Sequence, residues 1–439
     1  MTNVRLASIA ITVALACGAP KRPAIAELPW PVRNGPLHNG SAAPKDARGV
    51  PTEWDESKGQ NIAWKIDLEG FGHSTPVIGN GRLWLTAATE DGKQQFLYAI
   101  DTETGRVLYH KLLFENPEPE KLGNAVNTYA SPSCVLEEDA VYAHFGTYGT
   151  ARLDPKTAEV VWERRDLPCR HFRGPGSSPI VWKNLLILTF DGIDQQYVEA
   201  LDKRTGKTVW HVNRSTDYHD LGPDGKPSAE GDQRKAYGTP VAVDVAGKAQ
   251  IVSVGSRAIF GYDAETGKEI WTVTHKDFNA AAPPLVFENT VIINTGSGGA
   301  SLMAIRLDAT TQGDVTETHV EWSRTKGNSR LSAPALDGDR VWMITDNGIL
   351  YGVDAKTGKE LAAQRLGGSF VASLVVAGEH VYACDEKGIT NVLKTSVPPE
   401  IIAKNPLADG MRASPAVADG AIYLRTFQSL YKIAAKPPN

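Results

Sequence analysis

The stretch YDAETGKEIW, residues 262–271, joins two apolar segments through a turn built from Asp, Thr and Gly. The aspartate carboxylate can accept hydrogen bonds from the backbone N–H groups of such a turn, and the glycine allows a positive φ before the next strand. Close variants of this stretch begin at Ala99, Arg152, Ala200 and Gly352. The recurrence indicates a repeat protein in which most units contain the same hairpin.

A second signal opens each repeat with two small residues followed by proline. Eight openings occur at intervals of 39 to 61 residues, and at residues 371–373 serine replaces the proline. Proline is tolerated at the first residue of a strand because that residue need not donate to the sheet. The apolar runs and turns that follow predict four short strands per unit. The openings begin at Ser74, Ala130, Ser177, Gly238, Ala281, Ser332, Val371 and Ala413.

A bulky aromatic residue accompanies the repeated turn, usually eight residues beyond the aspartate. On the outer strand of a unit, this ring is expected to pack against the turn of the next unit. Removal of such a ring costs about 3–5 kcal/mol when it is fully buried. The predicted docking aromatics are Trp64, Tyr109, Trp162, Trp210, Trp271 and Trp322.

The eighth unit ends after its third strand, and the missing fourth strand is available near the N-terminus as NIAWKIDL, residues 61–68. Pairing this strand with the C-terminal blade closes a ring and removes a free sheet edge. We therefore predict an all-β, eight-bladed β-propeller of four-stranded antiparallel blades. The predicted organisation is an extended segment at residues 27–60, a single propeller at residues 61–434, and a tail at residues 435–439.

Residues 1–26 have the features of an export signal, with Arg5 followed by an apolar run that is too short to span a bilayer. Two processing routes are open, cleavage after Ala26 or lipid attachment at Cys17. Both routes predict an exported protein that is periplasmic or extracellular. Lipid attachment would also tether it to a membrane as a lipoprotein. We expect no transmembrane span.

The net charge of -5 is small for 439 residues, so no electrostatic case for nucleic acid exists. The remaining cysteines, Cys134, Cys169 and Cys384, are scattered and match neither a disulfide framework nor a zinc motif. We expect no metal site and a monomeric protein.

Over about residues 61–434 these repeats resemble the PQQ-type (pyrroloquinoline quinone) propeller repeat, Ala-x-Asp-x-x-Thr-Gly-x-x-x-Trp. The family includes quinoprotein alcohol dehydrogenases and non-enzymatic eight-bladed propellers, such as the lipoprotein of the outer-membrane β-barrel assembly machinery. The fold therefore does not determine the function.

In the dehydrogenases of this family, PQQ lies between a Trp floor and two adjacent, disulfide-linked cysteines. A calcium ion is held there by Glu and Asn, with an Asp base nearby. This sequence has no adjacent cysteines. The resemblance thus implies a non-catalytic binding or interaction scaffold of the cell envelope, without a cofactor. The alternative is a PQQ- and calcium-dependent alcohol or sugar dehydrogenase.

The residues just before the innermost strands are expected to surround one mouth of the central channel. They are polar, aromatic and partly cationic, and would suit an anionic or sugar-like ligand or a peptide segment of an envelope protein. The alternative is that they only hydrate the channel. The long insertion at residues 215–234 should lie over the same mouth. The predicted mouth residues are His73, Tyr129, His171, Arg173, Tyr237, Asn279, Arg330 and Arg412.

Overall fold

The computed structural model describes residues 28–435. It confirms an all-β, eight-bladed propeller, in which 32 of the 33 strands form eight four-stranded antiparallel sheets around a central axis. The predicted signal segment, with Cys17 and Ala26, lies outside the described residues, as do residues 436–439. Among residues 28–435, no helix has the length and apolar character needed to cross a bilayer.

In the first four blades, the order of the strands from the axis outwards is the same as their order in the sequence. Blade 1 comprises β2 (Val77–Gly79), β3 (Arg82–Ala88), β4 (Gln94–Asp101) and β5 (Val107–Glu115). Blade 2 comprises β6 (Val135–Leu136), β7 (Val141–His144), β8 (Thr150–Leu153) and β9 (Val160–Arg164). Blade 3 comprises β10 (Ile180–Trp182), β11 (Leu185–Asp191), β12 (Gln196–Asp202) and β13 (Thr208–Asn213). Blade 4 comprises β14 (Val241–Val245), β15 (Lys248–Val254), β16 (Ala258–Asp263) and β17 (Glu269–Thr274).

The other four blades complete the ring. Blade 5 comprises β18 (Leu285–Phe287), β19 (Thr290–Asn294), β20 (Leu302–Arg306) and β22 (Val320–Arg324). Blade 6 comprises β23 (Ala335–Asp337), β24 (Arg340–Ile344), β25 (Ile349–Asp354) and β26 (Glu360–Arg365). Blade 7 comprises β27 (Val375–Ala377), β28 (His380–Cys384), β29 (Ile389–Lys394) and β30 (Ile401–Pro406). Blade 8 comprises β31 (Ala416–Ala418), β32 (Ala421–Arg425), β33 (Ser429–Ala434) and the N-terminal β1 (Ile62–Asp67).

The ring closes through the predicted pairing of the two ends of the propeller. Strand β1 pairs antiparallel with β33, and Trp64 lies opposite Lys432. The inner three strands of the blades are mostly buried, whereas outer strands such as β26 alternate between half-buried and exposed residues. The apolar core therefore lies between neighbouring blades, as expected for sheets that pack face to face.

The repeated turn has the geometry that its sequence requires. In blade 4, the Oδ1 atom of Asp263 accepts hydrogen bonds from the backbone N–H and the hydroxyl of Thr266, at 2.9 and 2.8 Å. Gly267 follows with a φ of 71°. In blade 2 the glycine is replaced by Ala158, which adopts a φ of 56°. The turn can therefore form without glycine, although an L residue is strained there.

Four of the predicted docking aromatics donate their indole N–H to the next blade's turn. The acceptors are backbone oxygens at distances of 3.0 to 3.2 Å, in the pairs Trp64–Thr102, Trp162–Lys203, Trp210–Ala264 and Trp322–Ala355. The hydroxyl of Tyr109 reaches the backbone oxygen of Lys156 at 2.9 Å. Each of these rings links two blades.

Trp271 has a different placement. Its indole N–H donates to Gln250 of its own blade at 2.8 Å, and its ring lies against Gly261. The reason is the longer fifth unit, in which β21 (Gly313–Asp314) pairs parallel with β17, directly beside Trp271. The short helix α2 (Thr316–His319) follows β21, and together they occupy the place that the repeated turn takes elsewhere.

The segment before β1 crosses one end of the channel. Trp30 exchanges two backbone hydrogen bonds with Ile78, and the backbone oxygen of Pro31 accepts one from Leu136. Further along, backbone groups of Asn39, Gly40 and Asp46 bind blades 6, 7 and 8, and Asp46 lies in the short helix α1 (Pro44–Ala47). These contacts lie within or after the innermost strands, at the middle residue of β2, β23 and β27, at the last residue of β6 and just beyond β31. The segment therefore covers the end of the channel opposite the predicted mouth.

Candidate functional site

A cavity of about 290 Å³ lies at the end of the channel where the innermost strands begin. Every blade contributes at least one residue to its wall, from His73 in the approach to blade 1 to Ser414 in the opening of blade 8. One further wall residue, Arg33, comes from the segment that covers the opposite end. We call this space the axial cavity.

The wall of the axial cavity is cationic. Its charged side chains are four guanidinium groups, and no aspartate or glutamate is present among the described residues that line it. Three of the guanidinium groups belong to segments that approach the innermost strands of blades 3, 6 and 8. We call these three the rim arginines: Arg173, Arg330 and Arg412.

Each rim arginine is held by a carboxylate outside the cavity wall. Arg173 binds both oxygens of Asp232, at 2.8 and 2.6 Å. The Nε atoms of the other two donate at 2.6 Å, to Asp346 for blade 6 and to Glu386 for blade 8. Because these bonds fix the guanidinium groups before a ligand arrives, little side-chain entropy remains to be lost on binding.

Arg33 differs from the rim arginines because no carboxylate among the described residues lies within ion-pair distance of it. Its Nη1 atom donates to the backbone oxygen of Ala281 at 3.2 Å. Burial lowers the pKa of Arg33 to about 10, since desolvation disfavours the charged form. At neutral pH the group remains a cation, half-buried and facing the cavity.

His73 adds no charge to the wall. Burial, followed by the charges of Arg425 and Arg412, lowers the pKa of His73 to about 3. Its imidazole is therefore neutral at pH 7 and can both donate and accept a hydrogen bond.

Lys235 lies behind the cavity wall, between two aromatic rings. Its side chain is 0% exposed, with the amine 5.6 Å from the ring centre of Phe172 and 5.0 Å from that of Tyr237. The amine donates to the hydroxyl of Tyr237 at 2.5 Å and pairs with Asp232 at 2.8 Å. Burial lowers the pKa of Lys235 to about 8, although Asp232 opposes the shift.

The structure brings five of the eight predicted mouth residues together in the axial cavity. They are His73, Arg173, Tyr237, Arg330 and Arg412.

The other three predicted mouth residues lie outside the wall. The hydroxyl of Tyr129 donates to the backbone oxygen of Glu120 at 2.9 Å. His171 is buried, and its Nε2 atom accepts a hydrogen bond from the backbone of Thr147 at 3.0 Å. Asn279 adopts a positive φ of 55°. Tyr129 and His171 thus form local hydrogen bonds outside the cavity, and the Oδ1 atom of Asn279 is buried without a hydrogen-bond partner among the described residues.

Two parts of the site were not recognised in the sequence. The loop between β5 and blade 2 contributes Asn124 and Val126 to the cavity, and Arg412 donates to the backbone oxygen of Val126 at 3.2 Å. The length of this loop is a signal that could have indicated it. Arg33 lies outside the repeats, so no periodic pattern points to it.

The long insertion has a defined structure next to the mouth. It contains the 3-10 segment Ser228–Arg234, and Arg234 pairs with Asp220 across the insertion. The same segment supplies Asp232, the carboxylate shared by Arg173 and Lys235. The insertion thus orients one of the rim arginines.

The residues of the axial cavity do not fit calcium-bound PQQ. Calcium requires six to eight oxygen ligands, usually including carboxylates, whereas four guanidinium groups repel a dication. Within residues 28–435, no group of three or more His, Cys, Asp and Glu side chains could hold a metal. No tryptophan lines the cavity among the described residues, and Cys134, Cys169 and Cys384 are buried as free thiols.

Comparisons with known proteins agree with the fold. The sequence model of the family described as outer membrane protein assembly factor BamB matches residues 26–192 and 194–436. The tetrathionate hydrolase of Acidithiobacillus ferrooxidans is 25% identical over 229 residues, which is 46% of this chain and 44% of that enzyme. The match thus spans less than half the length of that relative.

Solved structures similar to this chain include BamB and dehydrogenases. BamB from Moraxella catarrhalis has a TM-score of 0.57 and 12% identity, covering 84% of this chain and 99% of its own. The quinohemoprotein alcohol dehydrogenase of Comamonas testosteroni has a TM-score of 0.67 and 13% identity, and the match covers 93% of this chain and 81% of that enzyme. A europium-containing methanol dehydrogenase has a TM-score of 0.68 and 10% identity, and the match covers 93% of this chain and 98% of that enzyme. At these identities the similarity establishes the fold alone.

Proposed function

This chain belongs to the family of the outer membrane protein assembly factor BamB, and from that premise we propose that it is an exported, non-catalytic binding scaffold of the cell envelope. Its partner presents an acidic group to the axial cavity. The observation that carries the proposal is the cavity wall, which has four guanidinium groups and no carboxylate among the described residues.

The chemistry of the wall suits a carboxylate ligand. A guanidinium group presents a planar set of donors that can bind both oxygens of a carboxylate. In a cavity from which much of the water is excluded, such charged hydrogen bonds are stronger than they are on an open surface. The fixed orientation of the rim arginines further favours binding of an acidic group.

The surroundings of the mouth suit a protein partner. The guanidinium of Arg412 lies 5.9 Å from the ring centre of Phe427, which is 36% exposed. Val126 is 39% exposed and belongs to the loop that Arg412 holds. Arginine and aromatic side chains are enriched among the residues that dominate protein interfaces. The apolar groups beside Arg412 would exclude water from the contact.

Site-specific photo-crosslinking in the host cell tests this proposal. A photoreactive residue replaces Leu331, which lines the cavity, and in a matched control replaces Val209, which is 52% exposed on an outer strand. The expected result is a discrete crosslinked envelope protein at position 331 and none at position 209. The change Arg412→Gln in the position-331 protein should reduce this product at least tenfold. Crosslinks at position 209 alone would place the binding surface elsewhere and contradict the proposal.

A second candidate function, hydrolysis of a polythionate, is favoured by the pair Tyr237 and Lys235. The Lys235 amine donates to the Tyr237 oxygen, so the phenol proton of Tyr237 remains available to another acceptor, and Tyr237 lines the cavity. Burial raises the pKa of Tyr237, so the phenol stays protonated at neutral pH and can donate a hydrogen bond to a bound anion, but it is a weak general acid. Tetrathionate, named in the relative that matches 46% of this chain, is a dianion that suits a cationic wall.

This second candidate is tested by incubating the purified protein with tetrathionate and following its consumption. Consumption by the unmodified protein that is lost in Tyr237→Phe, and retained in Tyr351→Phe, would support hydrolysis. Unchanged tetrathionate in the presence of the unmodified protein would reject it. The phenylalanine variants keep the rings, so packing is largely preserved.

A further inference from the structure

We propose that the axial cavity is a site for a dianion, with one acidic group bound by Arg33 and the other by the rim arginines. This rests on the proposed function only in taking the axial cavity as the binding site. The ligand must carry two acidic groups on one short chain. Two kinds of ligand meet this requirement. One is a free dicarboxylate. The other is the C-terminal aspartate or glutamate of a protein partner, which carries both a side-chain carboxylate and an α-carboxylate.

The site carries an excess of positive charge. The wall has four guanidinium groups, those of Arg33 and the rim arginines, and Lys235 lies directly behind it. Three carboxylates pair with them, because Asp232 is shared between Lys235 and a rim arginine. These groups leave two positive charges in excess, and Arg425, buried near His73 with no carboxylate partner among the described residues, adds to the excess. A dianion would therefore offset more of this charge than a monoanion.

The cations are carried into the cavity by two different parts of the chain. Arg33 belongs to the segment that covers the closed end, and it reaches the backbone oxygen of Ala281 at the opening of blade 5. The rim arginines come from the approach segments at the mouth. A ligand with two acidic groups can therefore bind Arg33 with one group and a rim arginine with the other.

The positive charge of Arg33 is not balanced by a carboxylate among the described residues. Its one hydrogen bond to a described residue goes to a neutral carbonyl. Burial lowers its pKa, which means that the surrounding protein disfavours the cation. An anion at this position would offset that cost. The hydroxyl of Ser414 also lines the cavity, and since its oxygen accepts a bond from Ser373 at 3.0 Å, its proton is available to the ligand.

Isothermal titration calorimetry on the purified protein tests the dianion. The probes are the α,ω-dicarboxylates from succinate to suberate, each compared with the monocarboxylate of equal chain length. A second arm uses a short peptide ending in glutamate, and the same peptide ending in glutamine. In at least one arm the dianion should bind at least tenfold more tightly than its matched monoanion. The arm with the higher affinity identifies the source.

Two variants assign the effect to Arg33. Arg33→Gln removes the charge and keeps a polar side chain, and the dianion affinity should fall at least tenfold, to that of the monoanion. Arg365→Gln removes the same charge from an exposed outer-strand position and should bind as the unmodified protein does. Thermal unfolding midpoints of both variants verify that the propeller remains intact.

The proposal is overturned if matched monoanions and dianions bind equally, if no probe binds, or if a folded Arg33→Gln retains the full dianion affinity. None of these results depends on crosslinking at position 331, which tests for an envelope partner. Either proposal can therefore fail while the other stands.

Discussion

Trp64 donates its indole N–H to the backbone oxygen of Thr102 at 3.1 Å, and so connects the last blade to the first. Trp64 lies on β1, the strand that completes blade 8, and Thr102 lies in the repeated turn of blade 1. Its ring also lies against Gly105 of the same turn. One side chain thus contributes both to the closure of the ring and to the contact between its terminal blades.

The change Trp64→Ala should therefore destabilise the whole propeller. Because the ring is half-buried, we expect a loss of about 2–4 kcal/mol in the free energy of unfolding. Urea unfolding followed by tryptophan fluorescence measures the loss, and Val209→Ala on the exposed outer strand is the control, with an expected change below about 0.5 kcal/mol. Equal stability of the two variants would show that β1 contributes little to closure.

A buried ion pair in blade 3 provides a second test of the fold. Arg214 and Asp191 contact at 2.5 Å with side chains that are 0% and 1% exposed. Asp191→Asn leaves the guanidinium buried without a counter-charge, so we expect a loss of about 3–5 kcal/mol in stability. Asp166→Asn breaks an exposed pair with Arg164 and should cost less than about 1 kcal/mol. Thermal and urea unfolding distinguish the two.

Buried histidines predict a loss of stability in acid. Burial lowers the pKa of His144 to about 3 and that of His171 to about 4, while an unfolded histidine titrates near 6.5. As the pH falls from 6.5 to 4, the unfolded chain binds protons that the folded chain excludes, so stability decreases. Between pH 6.5 and 5 each group should cost about 2 kcal/mol.

Stability measured against pH in His144→Gln checks this assignment. In this variant the free energy of unfolding should fall less steeply between pH 6.5 and 5 than in the unmodified protein, whatever its value at pH 7. His219→Gln, at a histidine whose side chain is 83% exposed, should keep the full slope. An unchanged slope in His144→Gln would contradict the assignment.

The loop that Arg412 holds should become mobile when the arginine is replaced. Arg412 donates to the backbone oxygens of Ala125 and Val126, and these are its links to the loop. In Arg412→Gln, hydrogen exchange of the amides in residues 123–128 should accelerate at least tenfold, because local opening requires fewer broken bonds. Arg330→Gln, at a rim arginine without such bonds, is the control. Unchanged exchange in Arg412→Gln would show that other contacts fix the loop.

Reconstitution with PQQ and calcium should produce no dye-linked oxidation of alcohols or aldoses. The physical reason is the cationic wall, which repels calcium and supplies no carboxylate ligand among its described residues. Visible absorbance and dye reduction are the measurements. Saturable, calcium-dependent dye reduction would contradict this expectation and favour a quinoprotein enzyme.

The sequence allowed the propeller to be predicted because its evidence is periodic. The number of blades follows from the eight openings and the recurrent Asp-x-x-Thr-Gly turn. The closure follows from the incomplete last unit, whose missing fourth strand is available near the N-terminus. The placement of Trp271 could not be predicted, because β21 comes from an insertion outside the repeat.

The site was only partly predictable for the same reason. Arg330 lies two residues before a recurrent opening and Arg412 lies one residue before another, so both could be found from the repeat. Arg33 lies before the first repeat and reaches the cavity through the closed end of the channel. Lys235 follows an insertion, and its burial between Phe172 and Tyr237 depends on contacts between distant parts of the chain.

The central claim, that the axial cavity is an anion site, is tested most directly by anomalous diffraction from crystals soaked in selenate, a dianion whose selenium can be located without ambiguity. The account predicts that the strongest anomalous peak lies in the axial cavity, within hydrogen-bonding distance of Arg33, and that this peak disappears in Arg33→Gln. Selenate peaks confined to the outer surface, with none in an accessible axial cavity, would contradict it.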